Sequence, residues 1–225
     1  RYQWLSSSGG NEPWANAVGT GSTTNTFTPP SATPGTTYYR VLVNASNSDC
    51  QQAVSSMVTA IIIPDITVTT QPTNVNECVG GLDQMTVAIS GGSGLVSYQW
   101  QSSTDGNAPW ANAVGTGSTT NTFTPPSVTP GTTYYRVLVN ATGSDCQQAV
   151  SSVVTAIIIP DITVTTQPTN VNECVGGLDQ MTVAISGGSG LISYQWQSST
   201  TGNEPWANAI GTGSTTNTFT PPSAT

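Results

Sequence analysis

The chain repeats itself every 96 residues. Tyr2-Gln3-Trp4, Tyr98-Gln99-Trp100 and Tyr194-Gln195-Trp196 are one triplet at that spacing (100 − 4 = 96). The same shift carries Trp14 onto Trp110 and Trp206, Phe27 onto Phe123 and Phe219, and Arg40 onto Arg136. It also carries Cys50 onto Cys146 and Cys78 onto Cys174. A fixed period of this kind makes each repeat one structural unit, and 96 residues suit a small domain with its own core. Residues 1–64 are then the C-terminal part of a repeat, 65–160 a complete repeat, and 161–225 the N-terminal part of a third. The first piece opens in mid-unit and the last stops in mid-unit, as expected of a window on a longer array.

Within the complete unit the apolar pattern has period two. Ile66–Gln71 and Met85–Ser90 alternate and are rich in β-branched residues, which favours strands. Val96, Tyr98 and Trp100 share one face of the next strand, with Ser97, Gln99 and Gln101 on the other. Short strands are expected around Trp110–Val114 and Asn121–Thr124, and longer ones over Thr132–Asn140 and Val150–Ile159. Asn74–Gly81 reads as irregular. Gly91-Gly92, Asp105-Gly106, Gly115 to Gly117 and Pro130-Gly131 are turn signals. About seven short strands with a turn every 8–12 residues predict an all-β fold of tandem immunoglobulin-like β-sandwiches. In that frame Val87 and Val137 take the two positions of the inter-sheet cysteines of antibody domains. They are expected to pack on Trp100 in the core, with Tyr135 as the corner tyrosine.

Charge narrows the function classes. The chain holds three arginines, eleven carboxylates, no lysine and no histidine, for a net charge of −8. Binding to nucleic acid or to an anionic membrane surface needs a basic patch, so neither is expected. Without histidine the commonest general base and metal ligand is missing. Without lysine there is no Schiff-base chemistry. No apolar run nears the roughly 20 residues of a membrane span.

The four cysteines fit an oxidising, extracellular compartment. The expected pairing is Cys78–Cys146 within one unit, closing 146 − 78 = 68 residues and contributing about 4 kcal/mol by chain entropy. The rival pairing, Cys50–Cys78 and Cys146–Cys174, would staple neighbouring units. No CxxC pair accompanies these cysteines, so no metal site or other cofactor is expected.

Together these motifs resemble the immunoglobulin-like repeats of giant Bacteroidota cell-surface proteins. The residues that carry the resemblance are Cys78-Val79-Gly80, Tyr98-Gln99-Trp100-Gln101, Trp110, Thr133-Tyr134-Tyr135-Arg136-Val137 and Asp145-Cys146. The near-identity of the copies, with about ten differences between residues 1–96 and 97–192, resembles the SprB-type gliding-motility adhesins. That resemblance implies a long filament at the outer-membrane-associated cell surface, moved by envelope gliding machinery and gripping a substratum. One departure is Leu5, where the other copies have Gln101 and Gln197. It falls on the polar face, and no change of fold is expected.

Trp14, Trp110 and Trp206 could form sugar-stacking platforms, although edge packing is the simpler role. Asp65, Asp161, Glu77 and Asp83 could ligate calcium, but calcium takes six to eight oxygens and no Asp-x-Asp-x-Asp cluster is present. Asn44-Ala45-Ser46 and Asn140-Ala141-Thr142 match the glycosylation acceptor pattern. No nucleophile–base pair appears, so no enzyme is expected. The function expected from sequence is a structural and adhesive repeat with neighbouring repeats as its partners. The alternative is a carbohydrate-binding repeat acting on surface glycans.

Overall fold

A computed structural model describes residues 1–45, 51–142 and 146–222. Among the described residues the complete unit holds ten strands. These are β1 (Thr67–Thr70), β2 (Val75–Cys78), β3 (Met85–Thr86), β4 (Ala88–Ser90), β5 (Val96–Ser103), β6 (Ala111–Asn112), β7 (Thr122–Phe123), β8 (Gly131–Ala141), β9 (Ala149–Val150) and β10 (Val154–Ile159). The larger sheet has the order β6-β5-β8-β10-β2, with β9 also on β8. Facing it, β1 pairs with β4 and β3 pairs with β7. The architecture is an immunoglobulin-like β-sandwich, as the alternation predicts.

Two features differ from the sequence expectation. Residues 75–78 form a strand, β2, which runs parallel to β10 with Val75 opposite Ala156 and Cys78 opposite Ile159. The pairing spans some 80 residues, and Asn76 and Glu77 hide it from a local reading. The last strand is also interrupted after Val150. There Ser151 turns back on β8: its amide donates to Val137 O at 3.0 Å, and its Oγ accepts from Val137 N at 2.9 Å.

The core is one cluster. Trp100, Met85, Phe123, Val137 and Val139 are fully buried, and Val87 and Tyr135 lie with them. Trp100 stacks on Phe123 with ring centroids 5.3 Å apart, and Phe123 meets Tyr135 at 5.1 Å. The Trp100 indole N–H donates to Thr120 O at 2.9 Å, while its backbone N–H donates to Ser118 O. One side chain thus carries both the sheet-to-sheet packing and the 117–122 turn.

The flanking pieces repeat this framework in parts. Tyr2–Ser7 pairs with Gly35–Val43, which pairs with Val58–Ile62. Trp4 faces Val41 as Trp100 faces Val137. After residue 160, Thr163–Thr166 pairs with Ala184–Ser186, and Met181–Thr182 with Thr218–Phe219. No sheet among the described residues crosses from one repeat to the next.

The joint between consecutive repeats is built from Pro64-Asp65. Pro64 O accepts the Gly92 N–H at 2.8 Å, and Asp65 Oδ1 accepts the Gln147 N–H at 3.3 Å. Pro160 O accepts the Gly188 N–H in the same way, also at 2.8 Å.

Candidate functional site

Trp110 follows Pro109 on the way into β6, and Arg136 lies on β8 opposite Gln101. This brings the Arg136 guanidinium to 4.3 Å from the Trp110 ring centroid. Such a cation–π contact stabilises by about 0.5–1 kcal/mol at an exposed site. Arg136 Nε also donates to Gln101 Oε1 at 2.9 Å. One indole face is therefore occupied by protein, and a sugar could stack only on the other. The glutamines around it are engaged as well, since Gln99 Nε2 donates to Trp100 O at 2.8 Å. Trp110 is half-buried and Trp206 is 44% exposed.

The first repeat solves the same problem differently. Arg40 stacks over Trp14 at 4.2 Å, but Leu5 replaces the glutamine acceptor and is itself buried. Leu5 keeps the outer face, opposite Arg40 in the strand register and one residue on from the inward Trp4, but is buried there. Arg40 Nη2 instead pairs with Glu12 Oε1 at 2.9 Å, and Glu12 stands where the complete unit has Ala108. Arg40 Nε is left buried without an acceptor. This yields a paired expectation. Gln101→Leu should destabilise the complete unit by about 1–2 kcal/mol, by leaving Arg136 Nε unsatisfied. Adding Ala108→Glu should regain only a few tenths, because the new ion pair would be exposed. Urea unfolding of the single and double variants measures both steps.

Of the carboxylates proposed for calcium, Glu77 and Asp65 each accept a backbone amide, at opposite ends of the unit. Glu77 Oε2 accepts the Asp83 N–H at 2.8 Å, and Glu173 repeats this with Asp179 at 2.7 Å. Asp65 sits at the other end of the unit, on Gln147. Among the described residues no group of three or more His, Cys, Asp or Glu could hold a metal ion. Asp105 closes its own turn: the Asn107 N–H and Ser103 Oγ both donate to its Oδ1 at 2.9 Å, and these bonds hold its pKa below the usual carboxylate value.

The cysteines overturn the intra-unit bridge. Cys78 ends β2 beside Ile159, at the pole where β8 begins, since Ile158 faces both Glu77 and Gly131. Cys146 follows the far end of β8, with Sγ 3.8 Å from Pro64 O. The eleven residues of β8 lie between them, so the two are about 30 Å apart at about 3.3 Å per residue. A disulfide needs Cα atoms within about 4.4–6.8 Å. Cys78 and Cys174 carry free thiols. The rival Cys146–Cys174 pair fails for the same reason, because Cys174 holds the Cys78 position one repeat further on. Cys50 lies outside the described residues, as do Ser46 of the first glycosylation pattern and Asp145. Among the described residues no helix is long and apolar enough to cross a membrane.

A family described as a domain of unknown function, DUF8696, matches residues 1–64 and 67–160. No curated protein matches the sequence. Solved structures that resemble the chain are tandem immunoglobulin-type domains. Drosophila OTK extracellular domains 3–5 align over 100% of this chain and 76% of theirs, at 12% identity and a TM-score of 0.46. Titin domains I67–I69, in an E-to-A variant, align over 100% and 78%, at 7% identity and a TM-score of 0.45. Sidekick-1 immunoglobulin domains 1–5 align at 13% identity and a TM-score of 0.38; 83% of this chain is covered, and it spans 41% of that one.

Proposed function

The chain belongs to the DUF8696 domain family, and from that premise we propose that it is a structural and adhesive repeat of a long extracellular filament. The observation that carries this reading is the joint. Each repeat clasps the Pro-Asp link before it with a glycine amide, at both Pro64 and Pro160. Units joined in this way extend in series, and each adds about 35–45 Å, the length of a ten-residue strand plus its turns. Reach and repetition are then the function, and weak contacts distributed over many copies add through multivalency. A surface rich in Thr, Ser, Asn, Gln and Gly, with three basic residues in all, suits a hydrated exterior.

The resemblance of the motifs to SprB-type repeats extends this proposal to a gliding-motility adhesin on a bacterial cell surface, with a substratum or its glycans as the outer partner. The test is electron microscopy of an array of many units. A beaded thread of the stated spacing is expected, and a collapsed globule would sink the reading. A glycan array on the same protein separates adhesion through sugars from a passive spacer. Saturable binding that Trp110→Ala removes while the fold survives would favour a carbohydrate-binding repeat; the Arg136 stack on that ring argues for no such loss.

A further inference from the structure

We infer that consecutive repeats are joined by a disulfide between the Cys78 position of one unit and the Cys146 position of the next. The joint between the first two repeats supplies the geometry. Cys146 and Gln147 of the second repeat, with Asp65, form one wall of a cleft of about 600 Å³. The opposite wall is Ser31 and Ile61–Ile63 of the first repeat. The 96-residue shift maps these onto Ser127 and Ile157–Ile159.

In the complete unit those positions hold the Cys78–Gly81 segment. Cys78 pairs with Ile159, and the Val79 N–H donates to Ile159 O at 3.0 Å. The Gly80 N–H donates to Ser127 O at 3.0 Å, and Ser127 Oγ donates to Gly81 O at 2.7 Å. The surface that carries Cys78 in one repeat is thus the surface that Cys146 of the following repeat faces. Cys78 is exposed on it, with its thiol outside the core. The two cysteine positions lie at opposite poles of each unit, so in a series every joint brings one of each kind together.

Closure is a two-electron oxidation. The two thiols lose two protons and two electrons as the S–S bond forms, and a small disulfide such as oxidised glutathione takes them up to become two thiols. Each joint would then have two covalent attachments, the Pro-Asp peptide and the bridge, and two points of attachment remove the swivel that one leaves. The inference rests on the serial arrangement proposed above and is independent of adhesion.

The test compares two chains refolded in a glutathione redox buffer. One is the chain as it stands. The other is lengthened after Thr225 by a second copy of residues 130–160, which completes the third unit, and carries Cys146→Ser and Cys174→Ser so that peptides are assigned without ambiguity. In the first chain, alkylation without reduction should label Cys78 and Cys174. In the second, non-reducing peptide mapping should find Cys78 linked to the cysteine of the added copy, with its alkylation reduced at least tenfold. Adding Cys78→Ser should return the partner thiol to full labelling. A Cys78–Cys146 link in the first chain, or a fully alkylated Cys78 in the folded second chain, overturns the inference. A missing bridge would leave the thread spacing unchanged in microscopy, so its failure is distinguishable from failure of the filament reading.

Discussion

Replacing Trp100 with alanine is expected to unfold the complete repeat under conditions where its neighbours are unaffected. The indole is fully buried, stacks on Phe123 and donates to Thr120 O. Truncating a tryptophan in such a site costs about 3–5 kcal/mol. A small domain has about 5–15 kcal/mol in all, so the loss takes a large share. Trp100→Phe keeps a ring on Phe123 but leaves Thr120 O without its donor, which costs about 1–3 kcal/mol. Chemical denaturation should therefore rank wild type above Trp100→Phe and Trp100→Phe above Trp100→Ala. Equal stability of the phenylalanine and alanine variants would mean that the hydrogen bond to the 117–122 turn, and not packing, dominates at this position.

The period, the sandwich and the core residues are legible in the sequence because they rest on local pattern. Alternation places Trp100, Val137 and Val139 on one side of their strands, and all three are buried. What was not legible depends on which strands meet and at which end. β2 has mixed polarity and is held by a strand some 80 residues away, so nothing near it in sequence announces it. The poles at which the cysteines stand are hidden for the same reason. Spacing and parity within a unit say that two cysteines recur together, but not at which pole each stands. Following chain direction through successive strands does give the answer: β2 runs away from Asp65, whereas β8 returns towards it, so the residues after β2 and after β8 end at opposite poles. The Arg136–Trp110 stack is hidden in the sequence because each residue has a plausible role alone. The copies do not announce it either: the first has Leu5 with Glu12 and the complete unit has Gln101 with Ala108, but the third carries Gln197 and Glu204 together.

Rigidity of the joint turns on Gly91. Its φ is +79°, and a Cβ there would lie 2.1 Å from Asp65 O, a backbone atom that cannot swing aside. Gly187 repeats the geometry at the next joint, with 2.0 Å to Asp161 O. Gly80 has nearly the same φ, +82°, but nothing within 4 Å of an added Cβ. The pair therefore separates backbone strain from collision. Gly80→Ala should cost about 1–2 kcal/mol, the left-handed penalty alone. Gly91→Ala adds the clash, bringing about 1–3 kcal/mol more, and the simplest relief is to push Asp65 away. That breaks the contact of Pro64 O with the Gly92 N–H and frees the first joint, while Pro160 keeps its clasp on Gly188. Small-angle scattering should then show a broader spread of maximum dimensions for Gly91→Ala than for Gly80→Ala, with strand content equal by circular dichroism. If the two variants scatter alike, the glycine clasp does not set the angle between repeats, and stiffness of the filament must come from another contact across the joint.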